Sequence, residues 1–370
     1  MVTSTMSGEM VQRCGTMEFS LVGNLGNTTM HIRRRIFWIC LVGMWLLLSG
    51  CQLLDRETNS LVIYSGRTEA FMKPIIAEFQ ARYPEIRVQL KSGKNNELAA
   101  TILEEQAYPQ GDVFVSTDQL THINLSRQGG LQSSVFVGSD TLDPRIRAHD
   151  GTWYAVTLRT RAIMYNTDMI RADAAPQSML DLVDPRWRGQ VVMADSNNGP
   201  MQAQVAAMLT LLGQDVTKAW LTGLVANQTT FLAAATDIRK AVGNGEYAIG
   251  LLNSYNYELQ RREADGANVG IIYPDQQAGQ MGLLVNTTAV GVIRRAPNER
   301  NAQRFMEFLF ATETQRLFAD LNLEYPVVAG VAPAPGIPAL ANFHVADIDM
   351  QRCADRVPEA IALMQSVGIP

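Results

Sequence analysis

Trp153-Tyr-Ala-Val-Thr-Leu-Arg159-Thr-Arg161-Ala-Ile-Met-Tyr165-Asn166 is an extended stretch in which apolar and polar residues largely alternate. Alternation of this kind predicts a β-strand, and its length is about twice that of an ordinary strand of about 5–6 residues. Such a strand has room to leave one sheet and enter another, so it predicts a crossing between two lobes. Leu283 to Ile293 is a second long β-rich run, able to bring the chain back. Two crossings make a hinge, with a ligand cleft between the lobes.

Both flanks of the crossing read as α/β. Leu61 to Tyr64 is an apolar burst ending at Ser65-Gly66-Arg67-Thr68-Glu69, after which Phe71, Ile75, Phe79 and Tyr83 recur at helical spacing up to Pro84. Ile86 to Leu90, Leu98 to Gln106 and Gly111 to Ser116 continue as strand, helix and strand. Alternation of strands and helices predicts a parallel sheet whose ligand crevice lies at the carboxyl ends of its strands, which makes Arg67 a candidate crevice residue. Asp118 reads as the cap of a following helix.

Beyond the crossing, Gln190 to Ala194 is a strand, and Ser196-Asn197-Asn198-Gly199-Pro200 starts a helix over Met201 to Leu212. The N-terminus at Asn198 and Gly199 is a candidate anion site, because the first N–H groups of a helix lack internal partners. Tyr247 to Leu252 is a buried strand that stops at Asn253-Ser254, two good N-caps, before a helix running to about Ala264. Tyr255 and Tyr257 then stand beside a second helix N-terminus. Phenolate is a hard oxygen donor suited to a ferric ion held with an anion, although a tyrosine near a helix start also serves as a half-buried packing residue.

Arg33 to Arg35, the apolar run Ile36 to Leu48 and Leu48-Ser49-Gly50-Cys51 read as the three regions of an export signal. The run is too short for a membrane span, which needs about 20 residues. Leu-Ser-Gly-Cys resembles the bacterial lipobox, so residues 1–51 are expected to be a leader, with Met30 the natural start, and Cys51 the lipidated first residue of the mature chain. Residues 52–59 form a polar tether. Of four cysteines only Cys353 remains in the body, so no internal disulfide is available and a large core is needed. The whole chain has 31 basic and 36 acidic residues; removing the four and two in residues 1–51 leaves 27 against 34, a net −7 that disfavours nucleic acid. His122, His149, His344 and Cys353 form no nucleophile–base motif, so an enzyme is not expected.

Taken together, Leu61-Val-Ile-Tyr-Ser-Gly-Arg67, Glu97 to Glu104, Gly111 to Ser116, Arg159-Thr-Arg161 with Tyr165-Asn166, Leu182 to Gly189, Ala241 to Glu246 and Glu324-Tyr-Pro326 resemble, in order and spacing, bacterial extracellular solute-binding proteins of the ferric-ion-binding type. The resemblance implies a two-lobed α/β periplasmic-binding-protein (type II) fold. Residues 60–157 and 285–370, including the C-terminal tail, would form the first lobe and residues 158–284 the second. It implies the receptor of an ABC importer, a monomer working with a membrane permease, lipid-anchored and facing the periplasm or cell exterior.

The resemblance also implies a site. Family members hold ferric iron by tyrosine phenolates, here Tyr165 on the crossing strand and Tyr255 at the helix start. The second helix tyrosine falls on Asn256, with Tyr257 one residue late and about 200° around the helix from Tyr255. Thr68 and Thr117 stand near the first-lobe ligand positions and are poor donors. Asn253 and Gly199 match the family's anion-binding positions and Arg159 its arginine, whereas Pro200 has no N–H and Ala235 replaces a common Asn. Two cargoes therefore stay open: Fe3+ with a bound anion, or an anionic organic solute such as a phosphonate gripped by Arg67 and Arg159. A sensor or an enzyme on the same fold is the alternative of another class.

Overall fold

The computed structural model describes residues 59–263 and 268–370. The leader, Cys51 and most of the tether lie outside them. The first half runs β1 (Ser60–Ser65), α1 (Glu69–Arg82), β2 (Arg87–Ser92), α2 (Asn95–Glu104), β3 (Val113–Ser116), α3 (Gln119–Arg127) and β4 (Leu131–Gln132), and leads into β5 (Tyr154–Asn166). There follow β6 (Val191–Ala194), α4 (Gly199–Leu211), α5 (Gln214–Ala226), β7 (Thr230–Leu232), α6 (Ala235–Gly243), β8 (Ile249–Asn253), α7 (Ser254–Arg261) and β9 (Val269–Ile272). The chain returns through β10 (Val285–Ile293) to α8 (Glu299–Leu309), α9 (Thr312–Asn322) and β11 (Tyr325–Pro326), and ends in α10 (Met350–Asp355) and α11 (Val357–Ser366).

The long alternating strand does what its length predicts. Tyr154 to Thr160 pair antiparallel with β10, whereas Arg161 to Tyr165 pair antiparallel with β8 and Ile163 to Asn166 with β9. One strand thus joins two sheets in the order β2-β1-β3-β10-β5 and β5-β8-β6-β7. Within each sheet the expected parallel pairs are present, β1 with β2 and β3, and β6 with β7 and β8. The fold is two-lobed α/β with a curled sheet.

Packing follows the apolar periodicity. Ile75 and Phe79 of α1 are fully buried, and Phe79 meets Phe305 of α8 edge-on at 5.1 Å between ring centroids. Truncating such a ring costs about 3–5 kcal/mol. Asp118 caps α3 as expected, accepting from the Thr121 N–H at 2.7 Å.

The tail departs from its expected place with the first lobe. α10 packs on both α3 and α4, and α11 packs on α4. Arg127 pairs with Asp355 on one side, while the Ser196 N–H donates to the Pro370 carbonyl at 2.7 Å on the other. Cys353, Ala360 and Met364 are buried, so the tail follows its apolar face onto α4 rather than its place in the chain.

Candidate functional site

A cleft of about 1260 Å³ lies at the carboxyl ends of β1, β3, β6 and β8. Its walls are the loop after β1 with Arg67, the start of α2 at Asn95, Thr117 and Asp118 after β3, Arg159 and Arg161 on β5, the start of α4 at Asn198 and Gly199, and the start of α7 at Asn253 and Tyr255. The crevice rule for parallel strands therefore locates it correctly.

Three guanidiniums form the floor, and all are buried: Arg67 is 4 % exposed, Arg159 2 % and Arg161 4 %. Arg67 Nη1 donates to Thr288 Oγ1 at 2.9 Å and lies 2.6 Å from Glu324 Oε1. Arg159 Nη2 donates to the carbonyls of Thr117 and Thr287, and its Nε is 3.9 Å from Glu324. Arg161 Nε donates to Gln204 Oε1 at 2.7 Å and Nη1 to Asn253 Oδ1 at 3.2 Å. Each arginine keeps one buried nitrogen without a hydrogen-bond acceptor: Nη2 of Arg67, Nε of Arg159 and Nη2 of Arg161. Burial, and then the neighbouring Arg67, pushes Arg159 down to about 10 from 12.5; burial, and then Arg159, pushes Arg161 to about 9. Both stay charged at neutral pH. Buried cations with spare N–H groups are what an oxyanion neutralises.

Tyr255 stands over this floor. Its ring meets Phe71 edge-on at 5.4 Å, the Arg67 guanidinium is 5.8 Å from its centroid, and its phenol lies within electrostatic reach of Arg159 and Arg161. Asn253 precedes α7, but its side chain makes no cap; its oxygen serves Arg161 and Asn286 instead, leaving the first N–H groups of α7 without a side-chain cap from it.

The other expected donors are not brought together with it. Tyr165 is 6 % exposed and does not line the cleft. It pairs with Ile249 and Gly270, four positions beyond the Arg161–Asn253 pair that marks the cleft, about 13 Å along the strand. Tyr257 is helical, so it turns to the far side of α7, where Arg261 covers its ring at 5.8 Å and burial raises its pKa. Asn198 caps α4 by accepting from the Met201 N–H at 3.2 Å. Gly199 lines the cleft opposite Asn95, Thr117 and Asp118, where a Cβ would meet all three at an ordinary contact distance of 3.4–3.5 Å.

Arg161 and Asn95, which line the cleft, and Glu324, buried behind Arg67, are missing from the sequence-based set. For Arg161 a signal existed: in a strand, residues two apart share a face, so Arg159 predicts its neighbour. Glu324 and Asn95 carried no comparable signal.

Residues 74–344 match the family described as bacterial extracellular solute-binding protein. Iron uptake protein A1 of Synechocystis sp. is 30% identical over 323 residues, covering 84% of this chain and 88% of that protein. Iron-bound HitA from Pseudomonas aeruginosa superposes with a TM-score of 0.77 at 28% identity, covering 84% of this chain and 99% of that one. A Trichodesmium protein in complex with iron and citrate ligands gives a TM-score of 0.72 at 28% identity, with 84% and 100% covered.

Proposed function

Because the chain belongs to the family of bacterial extracellular solute-binding proteins, we propose that it is the receptor of an ABC importer and that its cargo is ferric iron carried with an oxyanion. It is a transport protein, not an enzyme. The observation that carries the reading is Tyr255 standing over three buried arginines, each with a spare nitrogen. A trivalent cation beside three guanidiniums is repelled unless its own ligands bring negative charge. Tyr255 supplies one phenolate, and a polycarboxylate held by Arg67, Arg159 and Arg161 supplies the remaining oxygens. The cleft volume exceeds the ~300–1,000 Å³ of an ordinary small-ligand pocket, which suits a chelate better than a bare ion. Export and anchoring through Cys51 would place the receptor at the membrane beside its permease.

An organic oxyanion without iron is the second reading, favoured by the arginine floor itself. Titration with ferric citrate separates the two. Iron on Tyr255 produces a visible phenolate-to-iron band that Tyr255→Phe abolishes. A colourless protein that still releases heat with citrate alone assigns the cleft to the organic anion, and no heat with either probe refutes both readings.

A further inference from the structure

One carboxylate pairs with one of the cleft's three guanidiniums and lies 3.9 Å from a second. Glu324 is 1 % exposed and follows Leu323, whose left-handed φ of 58° ends α9 and turns the chain into β11. Its Oε1 is 2.6 Å from Arg67 Nη1 and 3.9 Å from Arg159 Nε, and its Oε2 accepts from Thr157 Oγ1 and, at 3.5 Å, from Thr288 Oγ1. Its partners thus come from the loop after β1 and from both crossing strands, β5 and β10. Asp118, the buried acid that lines the cleft wall, takes its hydrogen bonds from the neutral groups Asn95 and Thr121. Asp118 acts on Arg159 at longer range, whereas the carboxylate at ion-pair distance from the arginine floor is that of Glu324.

We propose that Glu324 is a specificity-determining residue that sets how much negative charge the cleft accepts in its cargo. The inference rests on the anion reading of the cleft. Three guanidiniums would favour the most highly charged oxyanion available. A fixed carboxylate beneath them cancels one positive charge and lowers the preference by one ligand charge, while its ion pair with Arg67 holds that guanidinium in place. In a buried site that coupling is little screened by salt and amounts to about ten- to a hundredfold in affinity per ligand charge.

Glu324→Gln keeps the size and one acceptor oxygen, removes the charge and turns the other oxygen into an NH2 donor; Glu324→Asp keeps the charge. The probes are glutarate and tricarballylate, which share a three-carbon chain and differ by one carboxylate, titrated calorimetrically into the full-length protein. The Gln variant is expected to raise the ratio of tricarballylate to glutarate affinity at least tenfold over wild type, and the Asp variant to leave that ratio unchanged. Without ligand the Gln variant should melt lower than wild type, because two buried guanidiniums lose their counter-ion, and tricarballylate should recover the difference. An unchanged ratio in the Gln variant, or an equal loss for both probes, overturns the proposal and leaves the anion site standing. Absence of binding by wild type to both probes and to ferric citrate overturns the anion reading, and the proposal falls with it.

Discussion

Arg161 is the cleft guanidinium with no ion-pair partner among the described residues; only Gln204 and Asn253 hold it. Burial, and then the charge of Arg159, push its pKa from 12.5 to about 9, because the folded protein holds that charge less well than water does. At about 1.4 kcal/mol per pH unit the difference corresponds to about 5 kcal/mol of destabilisation. Arg161→Met retains most of the volume and removes the charge. Gln204 Oε1 loses its donor, at about 1–3 kcal/mol, while Asn253 Oδ1 keeps Asn286. The expected net effect is a gain of about 2–4 kcal/mol, a rise in Tm of roughly 4–8 °C for a chain of this size. The sign with pH follows from the folded protein binding this proton less tightly than the unfolded chain. The penalty is constant below about pH 9 and fades above it, so the gain should be the same at pH 6 and pH 8. Affinity for citrate should fall at least tenfold in the same variant, since one of three spare N–H groups is gone. Melting by circular dichroism with parallel calorimetry tests both halves. A Met variant that melts at or below wild type would refute the reasoning, because the charge would then be compensated in the folded protein.

Tyr165→Phe and Tyr257→Phe should each leave the ferric band and citrate affinity within about twofold of wild type, since both phenols lie outside the cleft lining; loss of the band in either would return that residue to the site. His122 is buried between Ser116 Oγ at 2.8 Å and the Phe114 carbonyl at 3.1 Å, and burial lowers its pKa to about 4. The unfolded chain therefore takes up this proton near pH 6.5 and the folded one only near 4, so stability should drop by about 2 kcal/mol between pH 7 and pH 5. His122→Gln should flatten that slope in urea melts, and an unaltered slope would assign the acid sensitivity elsewhere. Cys51→Ser should move the protein from the membrane fraction to the soluble one if acyl chains are its anchor, and retention at the membrane would count against the lipobox.

The β-rich composition and length of residues 153–166 were enough to predict a strand shared by two lobes, because an extended run about twice the length of an ordinary strand reaches beyond one sheet. Arg67 was legible for a similar reason: a residue just past a parallel strand lies at the crevice edge. Tyr255 was legible because a cap after a buried strand places the next helix turn at the same edge. Asp118 as a cap rested on local hydrogen bonding alone. These inferences need only the chain's own geometry.

Only the tertiary structure decided which donors share the cleft. Period two assigns Tyr165 a face of β5 but not a depth along it, and depth is set by the register with β8, a property of another strand. Asn253 looks like a cap until Arg161 arrives to claim its oxygen, and the neighbours that Gly199 faces across the cleft, Asn95, Thr117 and Asp118, come from the first half of the chain. Glu324 lies 257 positions from Arg67 and 165 from Arg159, and no local pattern marks a counter-ion contributed from so far away. The sequence by itself determined the elements, the crossing and the edge of the sheet at which a ligand sits, because those depend on short-range periodicity and hydrogen bonding. The charge balance of the floor and the single phenol above it were decided by folding, because they arise from contacts between segments that only the assembled sheets bring together.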